Sequence, residues 1–142
     1  MTPQQVAQVQ DSFARVVPIA DEAARIFYGR LFELDPDLRN LFPQRMEDQR
    51  RKLMQTLGVA VQNLHDLPTL APVARELGAR HVGYGVHEAH YDLVGKALLH
   101  TLEVGLGPAW TPALREAWEE TFGLIAGEMK DGAREVWKEG SG

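Results

Sequence analysis

With no cysteine among its 142 residues, the chain must draw its chemistry from imidazole, phenol, amide and carboxylate groups. Disulfides, thiolate metal sites, a cysteine nucleophile and a thioether-linked cofactor are all excluded. The most informative of the remaining groups is His81, at the centre of E-L-G-A-R-H-V-G-Y-G-V, residues 76–86. Leu70, Val73, Ala74 and Leu77 recur at helical spacing, and His81 takes the next place on that apolar stripe. An imidazole there needs a partner, because an unpaired buried one carries a desolvation cost. Taken alone, such a residue is more often a core histidine bonded to a backbone carbonyl than a metal ligand. Gly83 and Gly85 follow at once and end the helix just beyond it.

Three further positions stand where an ordinary core would place leucine. Tyr28 lies between Ala24 and Leu31 on the inward side of a helix, where a tyrosine is usually structural, its hydroxyl tied to a carbonyl. Gln49 precedes Leu53 by four residues, so the two share a helix face; alone it reads as a solvent-facing residue near a helix start. Phe42 sits on a connection bounded by Pro43 and reads alone as a loop anchor. Of the other histidines, His65 falls in a loop, His87 near a helix start and His100 on a helix, all read as exposed or structural; nothing suggests a metal role for His90. No H-E-x-x-H pattern, phosphate-cradling glycine loop or acidic cluster supports a zinc, nucleotide or calcium site.

The elements that must position these residues all read as helices. Thr2-Pro3, Asp35-Pro36 and Thr111-Pro112 are cap-proline signals, and sustained apolar/polar alternation is absent. A first helix ends before Pro18, and a second covers residues 19–34 with Ile19, Ala23, Ile26, Phe27, Leu31 and Phe32 inward. A short turn or helix follows, from Leu38 to Phe42. A long helix over about 46–64 buries Leu53, Leu57, Ala60, Val61 and Leu64. Thr69 caps the helix that carries His81. Another, over roughly 87–104, buries Leu93, Val94, Ala97, Leu98 and Leu102. The last has Leu114, Trp118, Phe122, Leu124, Ile125 and Met129 on its stripe, with Gly127 and Gly132 weakening but not breaking it. The expectation is one all-α domain of about seven helices over residues 1–137, with a flexible polar tail at 138–142.

Composition agrees with an ordinary globular chain: 44% hydrophobic, 25% charged, formal net charge −5. That charge gives no basic footprint for nucleic acid. No apolar run reaches membrane-spanning length and no secretory leader is visible, so no membrane partner is expected and the cytoplasm is the default compartment.

The order of these residues resembles the globin family, in particular the single-domain bacterial haemoglobins and the haem domain of flavohaemoglobins. The segments that carry it are F-Y-G-R-L-F (27–32), N-L-F-P (40–43), Q-R-R-K-L-M (49–54), R-H-V-G-Y-G-V (80–86) and H-Y-D-L-V-G (90–95). The resemblance implies a globin fold enclosing haem b (iron protoporphyrin IX), and it reverses the first reading of His81, which becomes the proximal ligand through Nε2. Its other nitrogen must then donate a proton elsewhere. Phe42 matches the aromatic residue packed on the porphyrin face, Tyr28 and Gln49 the distal hydrogen-bond donors, and Leu53 the apolar distal wall. Lys52 and Arg80 match partners of the propionates, and Tyr91 and Val94 fall in the helix beneath the haem. In flavohaemoglobins a tyrosine and a glutamate strengthen the proximal histidine. Tyr91 matches the tyrosine, but Ala133 stands where the glutamate would be, with Glu128 and Glu135 off that position, so a strong anionic push on His81 is not expected.

The implied function is reversible binding of dioxygen, nitric oxide and carbon monoxide. Nitric oxide dioxygenase chemistry is implied when a separate reductase supplies electrons. The other readings are an oxygen carrier or reservoir, a haem-based gas sensor and a haem-free interaction module. A monomer or weak dimer is expected.

Overall fold

Thr2 opens the chain with a reciprocal cap. Its hydroxyl accepts from the Gln5 amide at 3.1 Å, while the Gln5 side-chain oxygen accepts from the Thr2 amide at 3.0 Å. Two otherwise unpaired amides are satisfied, and helix α1 (Pro3–Val16) follows. In this computed structural model, which describes residues 1–141 and side chains as far as Lys138, all regular structure is helical. The remaining α-helices are α2 (Ala20–Leu34), α3 (Glu47–Gln62), α4 (Leu67–Gly83), α5 (His90–Leu106) and α6 (Pro112–Ser141). Short 3₁₀ turns, Val17–Ile19, Pro36–Leu41 and Gly107–Ala109, each contain a proline that prevents continuation of the helix before it. The expected seven helices are thus six, with the segment around Leu38 wound as a 3₁₀ turn. Helix α6 is unbroken across Gly127 and Gly132. The expected tail, 138–142, ends at Gly142, outside the described residues.

Several boundaries and faces depart from expectation. Asp66, not Thr69, caps α4: its carboxylate accepts from the Thr69 hydroxyl at 2.7 Å and lies 3.4 Å from the Thr69 amide. Helix α5 starts at His90 because the His87 amide donates to Nδ1 of His90 at 2.9 Å, holding residues 87–89 as a turn. Ile19 sits in a 3₁₀ turn rather than on the inner side of α2 and is 41% exposed. Val73 is 53% exposed. Helix α6 packs along Leu70, Ala74 and Gly78, which turns the buried face of α4 away from Val73. Leu124 likewise lies outside the core.

The core is built on Val9, Phe13 and Val16 of α1, Ala23, Phe27 and Leu31 of α2, Ala97, Leu98 and Leu102 of α5, and Trp118 of α6. Trp118 is fully buried, and its indole N–H donates to the Ser12 hydroxyl at 2.9 Å, which in turn donates to the Val9 carbonyl. Each polar atom in that chain is satisfied, so it holds α1 and α6 together without a desolvation debt. Helix α2 lies across α5 and α3, while α4 rests mainly on α6. The two helices next to each other in sequence, α3 and α4, therefore pack on different partners. Half-buried Leu53 and Leu57 of α3, and Leu93 and Val94 of α5, border the core without being sealed by it.

Candidate functional site

Two polar arrangements stand on those separately packed elements. The first joins α2 to α3. Tyr28 is buried on α2, and its hydroxyl oxygen accepts a hydrogen bond from the Gln49 side-chain amide at 3.2 Å. Four residues of helix bring Gln49 and Leu53 to one face, and α3 lies against α2, so two residues distant in sequence meet. Three aromatic rings stand around the phenol: Phe27 at 5.0 Å, Phe42 at 5.4 Å and Phe32 at 6.0 Å between centroids. Burial pushes the Tyr28 phenol above its ordinary value of 10.0, and the Gln49 bond offsets part of that. The phenol therefore stays protonated at neutral pH. Its oxygen is engaged as an acceptor, and its proton remains to be given.

Phe42 reaches this cluster because its connection is tied down. The Arg39 guanidinium donates to the carbonyls of Phe42, Pro43 and Gln44, and Phe42 also packs edge-on against Phe32 at 5.5 Å. The residue is indeed a loop anchor, and it is equally part of the aromatic wall beside Tyr28.

The second arrangement is on α4. His81 is half-buried, and its Nδ1 lies 2.6 Å from the carbonyl oxygen of Leu77, one helical turn back. A carbonyl can only accept, so Nδ1 carries a proton; in the neutral tautomer that does so, the lone pair is on Nε2. The expected donation from the second ring nitrogen thus goes to Leu77. The Tyr84 ring stands edge-on to the imidazole at 5.5 Å. Helix α4 ends at Gly83, and Gly85 turns the chain with φ of 87°, a backbone conformation that glycine adopts without strain.

A match to the globin family model covers residues 25–129 and so takes in both arrangements. The chain belongs to the globin family. Flavohemoprotein of Bacillus subtilis is 37% identical over 103 residues, which is 70% of this globin and 26% of that protein, so the chain spans about a quarter of that relative's length. Neuroglobin of Dissostichus mawsoni is 35% identical over 122 residues, covering 75% of this chain and 76% of the neuroglobin. Among solved structures, an engineered carbene transferase made from a candidate nitric oxide dioxygenase of Rhodothermus marinus superposes with a TM-score of 0.88 at 25% identity, covering 100% of this chain and 99% of that one. A bacterial globin from Campylobacter jejuni gives 0.86 at 24% identity, over 96% and 99% of the two chains, a likeness of fold.

Within this globin the remaining singled-out residues divide. Leu53 is half-buried on α3 beside Gln49's face, and Val94 is half-buried on α5. Lys52 is exposed on α3. Arg80 is exposed and engaged with Glu76 at 2.7 Å on its own helix, a pairing that the sequence reading did not foresee. Tyr91 is 5% exposed, and its hydroxyl oxygen is buried without a hydrogen-bond partner. Ala133 is buried, Glu128 is paired with Arg75 across α4 and α6, and Glu135 is exposed. Among the described residues no carboxylate is hydrogen-bonded to the Tyr91 hydroxyl.

Two contributors escaped the sequence reading. The Leu77 carbonyl is a backbone atom, although its four-residue separation from His81 is the spacing at which a helix would bring them together. Arg50 bridges to Asp21 at 3.0 Å and ties the start of α3 to the start of α2; Arg50 and then Arg25 hold the Asp21 carboxyl below its ordinary value. Only the tertiary contact reveals that bridge.

Proposed function

We propose that this globin binds haem b between α3 and α4 and uses it to bind diatomic gases reversibly, with nitric oxide dioxygenation as its chemistry when a reductase is supplied. The observation that carries the reading is the hydrogen bond of His81: with Nδ1–H donated to Leu77, Nε2 is the ring nitrogen that would be offered to iron. The surroundings fit the same group. Phe42, Leu53, Leu57 and Val94 offer half-buried apolar surface suited to a porphyrin, and the absence of cysteine leaves no thioether attachment, which favours the b type.

Haem, when bound, supplies an iron that coordinates dioxygen, carbon monoxide and nitric oxide. The chain's own residues do the rest. His81 would hold the iron, and its bond to Leu77 fixes the ring's rotation and would raise the electron donation of Nε2. Tyr28, kept protonated by burial, would have its hydrogen to give to a polarised gas ligand. Gln49 does not compete for that place; its amide donates to the phenol oxygen, aligning it and making its O–H a stronger donor. In dioxygenation, nitric oxide and dioxygen would combine to nitrate with uptake of one electron, which a reductase would supply. Alanine at position 133 in place of the family's glutamate, together with a Tyr91 hydroxyl that has no partner among the described residues, supports retention of dioxygen over cleavage of the O–O bond.

The test is spectroscopic and then kinetic. Chain purified with adequate haem supply is expected to show an intense Soret band, and His81→Ala to lose most of its haem and to regain a histidine-like spectrum with added imidazole. A wild-type chain without that band would end the proposal. Nitrate formation with an added flavin reductase separates dioxygenation from simple storage or sensing, which would show reversible oxygenation without turnover.

A further inference from the structure

Helix α4 meets α6 most closely at two glycines. A Cβ built on Gly78 would lie 1.9 Å from the carbonyl oxygen of Met129 on α6, and one built on Gly132 would lie 2.0 Å from the carbonyl oxygen of Arg75 on α4. Neither position has room for a methyl group, because the neighbour in each case is helix backbone and cannot rotate away. The contact is reciprocal: each helix sets a glycine against the other's main chain, and the Arg75–Glu128 ion pair at 2.7 Å spans the same crossing. The nitrogen of Gly78 and the carbonyl of Leu77 belong to one planar peptide unit. That carbonyl is the acceptor for Nδ1–H of His81. The main chain of α6 therefore bears directly on the residue that completes the peptide orienting the imidazole.

We propose that Gly78 is a positioning residue for His81, with Gly132 as its counterpart: the backbone contact of α4 with α6 sets the tilt of the Leu77–Gly78 peptide, and through it the rotation and donor strength of the imidazole. It rests on the reading of His81 as an iron ligand only for its consequence at the metal; the orientation of the ring is a property of the chain. A methyl group at position 78 must push α4 off α6 and displace the Leu77 carbonyl. Glycines whose Cβ would meet nothing within 4 Å provide the comparison. Gly83 lies on α4, nearer to His81 in sequence, and Gly127 lies on α6.

The chain as purified, in a diamagnetic carbonyl form where haem is present, gives the Nδ1–H proton of His81 as an NMR signal whose exchange with water can be timed. Gly78→Ala is expected to speed that exchange by about tenfold or more, with Gly132→Ala acting in the same direction, while Gly83→Ala and Gly127→Ala stay within about twofold of wild type. In the haem-loaded ferrous protein the iron–histidine stretching band is expected to shift in Gly78→Ala and to hold its place in both comparison variants. Lower stability with unchanged exchange and an unchanged band would mean packing alone and would overturn the proposal, as would an equal effect from Gly83→Ala. If neither crowded variant folds, native-state exchange of the wild type decides: His81 Nδ1–H and the amides of residues 129–132 must open together, and separate openings refute the coupling. A wild-type chain without haem defeats the functional reading but still reports the exchange arm.

Discussion

Tyr28 and Gln49 form a series rather than two parallel donors, and that order can be measured. A hydrogen bond to a charged partner contributes about 1.5–3 kcal/mol, or roughly ten- to a hundredfold in affinity. Tyr28→Phe deletes only the hydroxyl, so dioxygen release and autoxidation are expected to accelerate by about that factor, with carbon monoxide release, from a less polarised ligand, changing far less. Gln49→Leu is expected to act in the same direction more weakly. In the Tyr28→Phe background it is expected to do almost nothing, because its partner is gone. Stopped-flow displacement on the two single variants and the double variant would show this, and additive effects would mean that Gln49 reaches the ligand independently. Tyr91 poses a stability question instead. Its buried hydroxyl has no partner, so Tyr91→Phe is expected to stabilise the fold by about 1 kcal/mol in denaturant titration. Burial raises the phenols of both Tyr28 and Tyr91 above 10.0, so the native state holds protons that the unfolded chain has lost. Their contribution is complete below pH 10 and drains away as pH rises through the raised values; removing the Tyr91 hydroxyl is expected to flatten that alkaline decline.

At the scale of elements, the helices are seated by how closely their backbones approach. Gly95 of α5 has the Phe122 ring of α6 where a Cβ would go, with the nearest ring carbon at 2.7 Å. Gly95→Ala must move a ring that is itself packed against the core, at a cost of about 1–3 kcal/mol. Gly123, on the same helix as that ring, has open space where its Cβ would stand. Gly123→Ala is expected to gain roughly 0.5–1 kcal/mol from helix propensity alone. Thermal unfolding of the two variants gives opposite signs if close approach governs, and two gains if α5 and α6 can slide apart without cost.

For the whole molecule, the decisive arrangement is that α3 and α4 rest mainly on other helices, α3 on α1 and α2 and α4 on α6. A haem between them would join the two supports. Its removal is expected to lower the unfolding midpoint, since a ligand at a hundred times its dissociation constant stabilises the native state by about 2.7 kcal/mol. The loss is expected to be largest in α4, whose amides should gain hydrogen exchange first while the α1–α6 pairing around Trp118 and Ser12 keeps its protection. Uniform loss across all six helices would show that α4 is not separately held. Among the described residues no helix is long and apolar enough to cross a membrane.

How much of this was legible in the chain follows the range of the interactions. Thr2-Pro3 and Thr111-Pro112 announced helix starts, since a cap acts within three residues of itself. The stripe through Leu70, Ala74 and Leu77 placed His81 on a helix because periodicity is local. The sequence of residue types from Tyr28 through Phe42 and Gln49 to His81 was enough to point to the globin family. What it could not contain is set by which surfaces meet. Val73 fits the stripe as well as Leu70 does, and only the side on which α6 lies left it exposed. Arg80, matched by resemblance to a propionate partner, is paired with Glu76 on its own helix. Gln49 read as solvent-facing until α3, brought against α2, set its amide on the Tyr28 hydroxyl, 21 positions away. Gly132 read as a weak point in the last helix; as residues without a Cβ, Gly78 and Gly132 are what lets two backbones touch, and that role exists only where the helices cross.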